Sequence, residues 1–200
     1  MNEIKLKGII KHIEHSHNIQ GVEFEKAQLL VQRPSGKEDT INIKFKSFSN
    51  AHKENDEVSL IGNIRSYSQK IDEHTNKVAV YVFTYFDKPE EELKGTNSGV
   101  IDGRICKINP LRTNKDGKHN VHFILANNII SEKNGKRLNS YIPCIAWGKV
   151  GKDIAKLPVS TKLKLTGELH SREHKKIHEN SEVEFRVAHE FLVTNFEVLD

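Results

Sequence analysis

From Tyr141 to Leu157 the chain reads YIPCIAWGKVGKDIAKL, and its only tryptophan, Trp147, stands where an apolar run meets Gly-Lys. In extended backbone, side chains alternate between two faces. Tyr141, Pro143, Ile145 and Trp147 therefore share one face, and Ile142, Cys144 and Ala146 the other. The second set is small and apolar and suits an interior, whereas the first holds both aromatics. Flat aromatic surfaces beside lysines and arginines suit a ligand with exposed planar rings and a string of negative charges. Arg104, Arg112, Lys149, Arg172, Lys175 and Lys176 supply cations around this strand, with His174 two positions past Arg172. The indole could instead pack in a core under the residues that follow, and each cation could be a solvated surface charge.

These residues need strands to hold them. Short runs of Val, Ile, Phe and Thr separated by polar turns such as RPSGKED, RTNKDGKHN and SEKNGKRLNS predict strands, not long helices. The expected strands are 4–13, 22–33, 40–46, 57–67 and 77–86, then 99–108, 120–130, 140–147, 161–172 and 183–199. Between the two sets DKPEEELKGTNS reads as a linker. The boundaries are thus 1–87 for a first domain, 88–98 for the linker and 99–200 for a second.

The halves repeat one another. KGIIKHI (7–13) matches DGRICKI (102–108), and DEVSLIGNIRSYSQK (56–70) matches STKLKLTGELHSREHK. Gly8 and Gly62 are 54 residues apart, and Gly103 and Gly167 are 64 apart. This spacing indicates an internal duplication of one five-stranded unit. A glycine inside a strand marks a sharp bend or a close backbone approach, which small closed barrels need. In the second unit Val150, Ile154 and Leu157 form one apolar stripe, so 149–157 is expected to be a short helix between its third and fourth strands. The predicted fold is all-β: two tandem five-stranded OB-fold barrels, the second with that helix.

Bulk composition narrows the function classes. The 200 residues are 36% apolar and 29% charged, with a formal net charge of +4. Residues 1–97 carry 14 Lys/Arg against 15 Asp/Glu, and 98–200 carry 17 against 12, so polyanion binding is expected mainly in the second half. The two cysteines, Cys106 and Cys144, are isolated, which argues against a disulfide framework or zinc ribbon and for a reducing compartment. No signal peptide and no run near the ~20 apolar residues of a membrane span is read, so a cytoplasmic, nucleoid-associated protein without membrane partners is expected. The histidines of HIEHSH (12–17) and His170, His174 and His178 are expected to face solvent or ligand, with no metal site and no cofactor. No P-loop, G-x-G-x-x-G or nucleophile–base arrangement stands out, so no catalytic residue is named and no enzyme is expected.

Residues 98–200 resemble the bacterial single-stranded DNA-binding protein family. GVIDGRICKINPLRTNKDGKHNVHFILANN is similar to the family's opening strands and loop, and YIPCIAWGKVGKDIAKL to its third strand and helix. KLTGELHSRE and VAHEFLVTNFEVL resemble its last two strands, and residues 1–97 match in outline only. The resemblance implies base stacking on Tyr141 and Trp147 and non-catalytic, sequence-tolerant binding of single-stranded DNA. Such binding protects exposed strands in replication, recombination, repair or mobile-element transfer. Family members usually end in an acidic-tipped tail that recruits other proteins; this sequence ends at NFEVLD, so tail-based recruitment is not expected. Two barrels per chain would match the family's usual count of four in a homodimer. In the first unit, aligning INIKF (41–45) with IPCIA (142–146) puts Lys46 where Trp147 stands, turns Phe45 inward and leaves Tyr67 as the surface aromatic. That unit reads as a weaker binder, a dimerisation unit or a spacer. The alternatives from other classes are a protein-docking subunit of a replication or conjugation complex, and an RNA binder.

Overall fold

The computed structural model describes residues 1–47, 52–70, 76–86, 95–130, 137–177 and 183–200. The first half contains β1 (Asn2–Ile19), β2 (Val22–Gln32), β3 (Glu38–Lys46), β4 (Glu57–Lys70) and β5 (Asn76–Thr84). The second contains β6 (Asn97–Ile108), β7 (Arg112–Thr113), β8 (His119–Ile130), β9 (Arg137–Trp147), α1 (Gly148–Ile154), β10 (Lys162–Ile177) and β11 (Val183–Leu199). The chain is thus nearly all strand. The ten expected strands are present, several of them longer than anticipated, and the two-residue β7 was not foreseen. The helix stops at Ile154, earlier than the expected 157. Lys156 and Leu157 bond back to Asp153 and Ile154, closing a tighter turn ahead of Pro158. The apolar stripe nevertheless packs as read, with Ile154 buried and Val150 and Leu157 against the core.

Pairing in each half returns to its starting strand. In the first, β1 pairs with β2, β2 with β3, β3 with β5, β5 with β4, and β4 with β1. In the second, β6 pairs with β8, β8 with β9, β9 with β11, β11 with β10, and β10 with β6. Only β3–β5 and β9–β11 are parallel. The inward rows, such as Ile41, Ile43 and Phe45 on β3 and Ile142, Cys144 and Ala146 on β9, join one continuous buried cluster. Gly8 and Gly103 permit the close strand crossings: a Cβ at Gly8 would strike the Leu30 carbonyl, and one at Gly103 would lie 2.5 Å from the Ala126 carbonyl.

The halves are joined by an antiparallel ladder between β1 and β6, from Asn2↔Ile101 to Leu6↔Asn97. Its pair Ile4↔Gly99 is special. Gly99 follows Ile4 by the same 95 positions that separate Gly103 from Gly8, so a pseudo-two-fold axis passes between them. Hydrogen bonds obey this symmetry. The Asn2 carboxamide accepts from Ile64 N–H at 2.8 Å and donates to Ile64 C=O at 2.7 Å. Asn97 does the same with Leu169, at 3.0 and 2.7 Å. Across the halves, Tyr141 N–H donates to Ser66 Oγ at 2.7 Å, and Thr40 N–H to Ser171 Oγ at 2.9 Å.

The junction also contains charged groups, of which Asp39 is the most buried. Asp39 is fully buried, accepts from Arg33 Nε at 2.6 Å and Nη2 at 2.5 Å, and accepts from Ser171 N–H at 2.6 Å. Burial alone would raise its pKa, but the Arg33 guanidinium, the Ser171 N–H and nearby positive charge together hold it below the usual carboxylate value. A carboxylate depressed on folding stabilises the fold above its unfolded pKa of about 3.9, and that contribution is lost as pH falls through the folded value. Urea denaturation should therefore show stability falling as the pH drops below about 4. Asp39→Asn should lose about 1–3 kcal/mol at pH 7 and show a shallower acid dependence. An unchanged acid profile in the variant would remove Asp39 from this role.

Candidate nucleic-acid interface

In the second half the alternation read on β9 is realised at both ends. Tyr141 is 47% exposed and Trp147 39%, while Ile142, Cys144 and Ala146 are buried. Pro143 is half-buried. Ile145 departs from the expected outward row. It lies opposite His122 of β8 and Leu192 of β11, and these flanking strands leave it only 5% exposed. The indole is therefore not a core residue. It lies opposite Asn120, and the left-handed backbone of Gly148 (φ 59°) turns the chain directly into α1. Between that helix and the turn before β8 is an open cleft of about 630 Å³, walled by Trp147, Lys118, His119, Lys149, Lys152 and Lys156.

The expected cations divide by what holds them. Arg112 and Arg172 are exposed and both act on His122, a group absent from the sequence reading. Burial, aided by the two arginines, lowers the His122 pKa against the pull of Glu190, whose carboxylate lies 3.9 Å away. With the imidazole disfavoured as a cation, the charges on this part of the face are those of Arg112, Arg172 and the Glu190 carboxylate. Lys149 is exposed and pairs with Asp153 at 3.5 Å, and the same carboxylate holds Lys156 at 3.2 Å. Arg104 occupies the ladder row that runs through Ala126 to Tyr141, but its guanidinium donates to Ser160 C=O at 2.9 Å, tied to the loop after α1. His174 and Lys175 lie on β10 in register with Arg186 and Phe185; their side chains fall outside the described residues.

The first half carries a larger aromatic surface than its sequence suggested. Tyr67 is 46% exposed, as expected, and Phe45 turns inward at 4%. Tyr67 is accompanied by Tyr81, with ring centroids 5.9 Å apart. The Lys44 ammonium lies 4.8 Å from the Tyr67 ring centre and 4.7 Å from that of Tyr81. Lys46 lies over Tyr85 at 5.5 Å and Arg65 over Phe83 at 4.2 Å. Phe83 also touches Phe24, which stacks on His17 at 4.8 Å. Burial, aided by Lys26, pushes the Lys44 pKa down, and among the described residues no carboxylate pairs with it. A half-buried cation without a counter-ion raises the local potential and favours an anion beside it. Tyr81, Phe83 and Tyr85 were missed, although their alternation in VAVYVFTYF places all three on one strand face.

Two solved structures share the architecture over the whole chain. One is the wild-type single-stranded DNA binding protein from Thermus aquaticus, at TM-score 0.72 and 15% identity, with 100% of this chain and 93% of that chain covered. The fold is shared. The other is a deletion mutant of the same Thermus protein, at TM-score 0.70 and 15% identity, covering 100% of this chain and 94% of that one. No family model matches the sequence, and no curated protein does. Among the described residues no helix is long and apolar enough to cross a membrane, and no group of three or more metal-ligating side chains gathers.

The lone indole makes its own exposure measurable. Acrylamide should quench Trp147 emission in the folded protein to an extent between that of free tryptophan and a buried indole. Resistance to quenching until the chain unfolds would place Trp147 in the core instead.

Proposed function

We propose that this chain binds single-stranded DNA without a strict sequence requirement, using two tandem OB barrels, residues 1–87 and 99–200, joined by the segment 88–98. The observation that carries the reading is the pairing of exposed aromatics with cations on both halves. Trp147 shares a cleft with Lys118, Lys149, Lys152 and Lys156, Tyr67 stands with Lys44, and Tyr85 with Lys46. The likeness in fold to a single-stranded DNA binding protein supports it.

The chemistry is divided between rings and charges. Every base has a π-face, so stacking on Trp147, Tyr141 and Tyr67 adds affinity whichever base is present. Phosphates pair with Arg112, Arg172, Lys149 and Lys46, and the release of their counter-ions makes affinity fall with salt. Duplex DNA buries its base faces in its own stack, so the aromatic contribution is confined to single strands. Arg104 enters this surface only by leaving the Ser160 carbonyl, and His174 and Lys175 remain candidates by their place on β10 alone. The reading is one of binding without turnover, and it serves strand protection in replication, recombination, repair or mobile-element transfer.

A titration with a dT oligonucleotide of about 35 residues, within the reach of two barrels at roughly 4–16 nucleotides each, tests this directly. Trp147 emission should be quenched by the single strand, less so by duplex, and the effect should weaken as salt rises. Trp147→Ala should reduce the affinity by about 1–3 kcal/mol. Arg172→Glu should reduce it to a similar degree for dT, dC and mixed strands. An Arg172 effect confined to one sequence would contradict phosphate pairing. A protein that neither quenches nor retains labelled DNA would be a protein-docking module instead, and equal affinity for RNA of the same sequence would widen the ligand class.

A further inference from the structure

On the outer face of the first half, Gln28 of β2 and Asn42 of β3 stand directly opposite each other in the antiparallel ladder. Neither carboxamide makes a hydrogen bond among the described residues. Directly paired residues on one face of such a ladder have Cβ atoms about 4.5–5.5 Å apart, so the two amides can act on one ligand. They line a cleft of about 200 Å³ whose other side is formed by Tyr67, Tyr81 and Lys44. That volume is below the ~300 Å³ at which pockets for drug-sized ligands begin, and it suits one ring system.

The rim adds a second observation. His12 also lines this cleft, and it has left-handed backbone (φ 53°) within an irregular stretch of the β1–β2 ladder between Lys11 and Glu14. An L-residue with a Cβ adopts that conformation at a cost, and bulges of this kind commonly re-aim a side chain beside a functional site. Free carboxamides, an imidazole on a bulge, a wall of two tyrosines and the Lys44 ammonium thus converge on one small space, whose rim also carries the Glu14–Lys26 ion pair. A carboxamide presents a donor and an acceptor side by side, and the adenine edge, with its N6 amino group and N7, matches that pair. Unstacked bases in single strands are read in this way, with a ring stacked on an aromatic side chain and an edge hydrogen-bonded.

We propose that this cleft takes one extruded base of the bound strand and reads its edge, giving an otherwise tolerant binder a preference for adenine at that position. The inference rests on the single-strand binding proposed above. The contacting pair Tyr67 and Tyr81 forms one wall for the ring, Gln28 and Asn42 pair with its edge, and the Lys44 ammonium, on its flexible stem, turns from the tyrosine faces to the adjoining phosphate.

Anisotropy of labelled dA, dC and dT oligonucleotides of equal length, at one salt concentration, tests this in the full chain. The double variant Gln28→Ala, Asn42→Ala changes two outward side chains and leaves the core intact. It should lower the dA-to-dT affinity ratio by about tenfold, the worth of one bidentate pair, and leave the dC-to-dT ratio unchanged. Lys44→Gln should weaken all three homopolymers together. Ratios identical in the wild type and the double variant would overturn the base-reading cleft while leaving single-strand binding in place. Failure of the wild type to bind any of the three would overturn both readings.

Discussion

The β1–β6 ladder fixes where everything else in this molecule lies. Five backbone pairs around Ile4 and Gly99 merge two rings of strands into one sheet, and their register sets the pseudo-two-fold relation. Slipping it by one residue would send Ile4 and Leu6, both fully buried, to the opposite face of β1. It would also part Asn2 and Asn97 from Ile64 and Leu169, two strand positions with N–H and C=O groups that face a side chain instead of another strand. The cross-half bonds of Ser66 and Ser171 depend on the same register. They hold β4 against β9 and β10 against β3.

On this common frame the two faces have diverged in complementary ways. The inward rows of β3 and β9 stay apolar because both must fill a closed interior, and the outward rows are free of that demand. Outward on β9 stand Tyr141, Pro143, Ile145 and Trp147; at the counterpart positions of β3 stand Thr40, Asn42, Lys44 and Lys46. The strand four residue after the junction serine is reversed in the same sense: Tyr67 follows Ser66, and Arg172 follows Ser171. One half thus sets aromatics on the third strand with cations around them. The other sets cations on the third strand with aromatics on the β4–β5 hairpin. Both combinations set a ring beside a charge, although Lys46 stands at the position that aligns with Trp147.

Much of the fold was legible because period-two alternation is a local signal. Runs such as INIKF and IPCIA declare their inward residues without reference to any other part of the chain, and Gly8 and Gly103 mark the close strand approaches. What was not legible depends on the third dimension. Ile145 sits on the outward row of its own strand, yet it is buried because His122 and Leu192 flank it, a fact that belongs to β8 and β11. Asp39 reads as a turn carboxylate, and only the docking of Ser171 onto it makes it a fully buried ion. His122 was overlooked because its meaning comes from Arg112, Arg172 and Glu190, which lie on three different strands. Tyr81, Phe83 and Tyr85 were available to the alternation rule. They escaped because the first half was read mainly through its likeness to the second, whose last strand carries no such row.

Net charge is a coarser guide than the placement of the charges. Residues 1–97 sum to about −1, which suggested a poor partner for a polyanion, yet a sum has no position. Several acids of this half are already paired: Glu57 to Lys7 at 3.5 Å, Glu23 to His15 at 3.0 Å, and Glu14, which lines the tyrosine cleft, to Lys26 at 3.0 Å. Asp39 is sealed against Arg33. Lys44, Lys46 and Arg65 lie over aromatic rings, and none has a carboxylate partner among the described residues. Charges on exposed acids more than about 8–10 Å from these cations are largely screened at physiological salt. The first half is therefore acidic as a sum and cationic at the surface where its aromatic rings stand, and only the latter bears on what that face can hold.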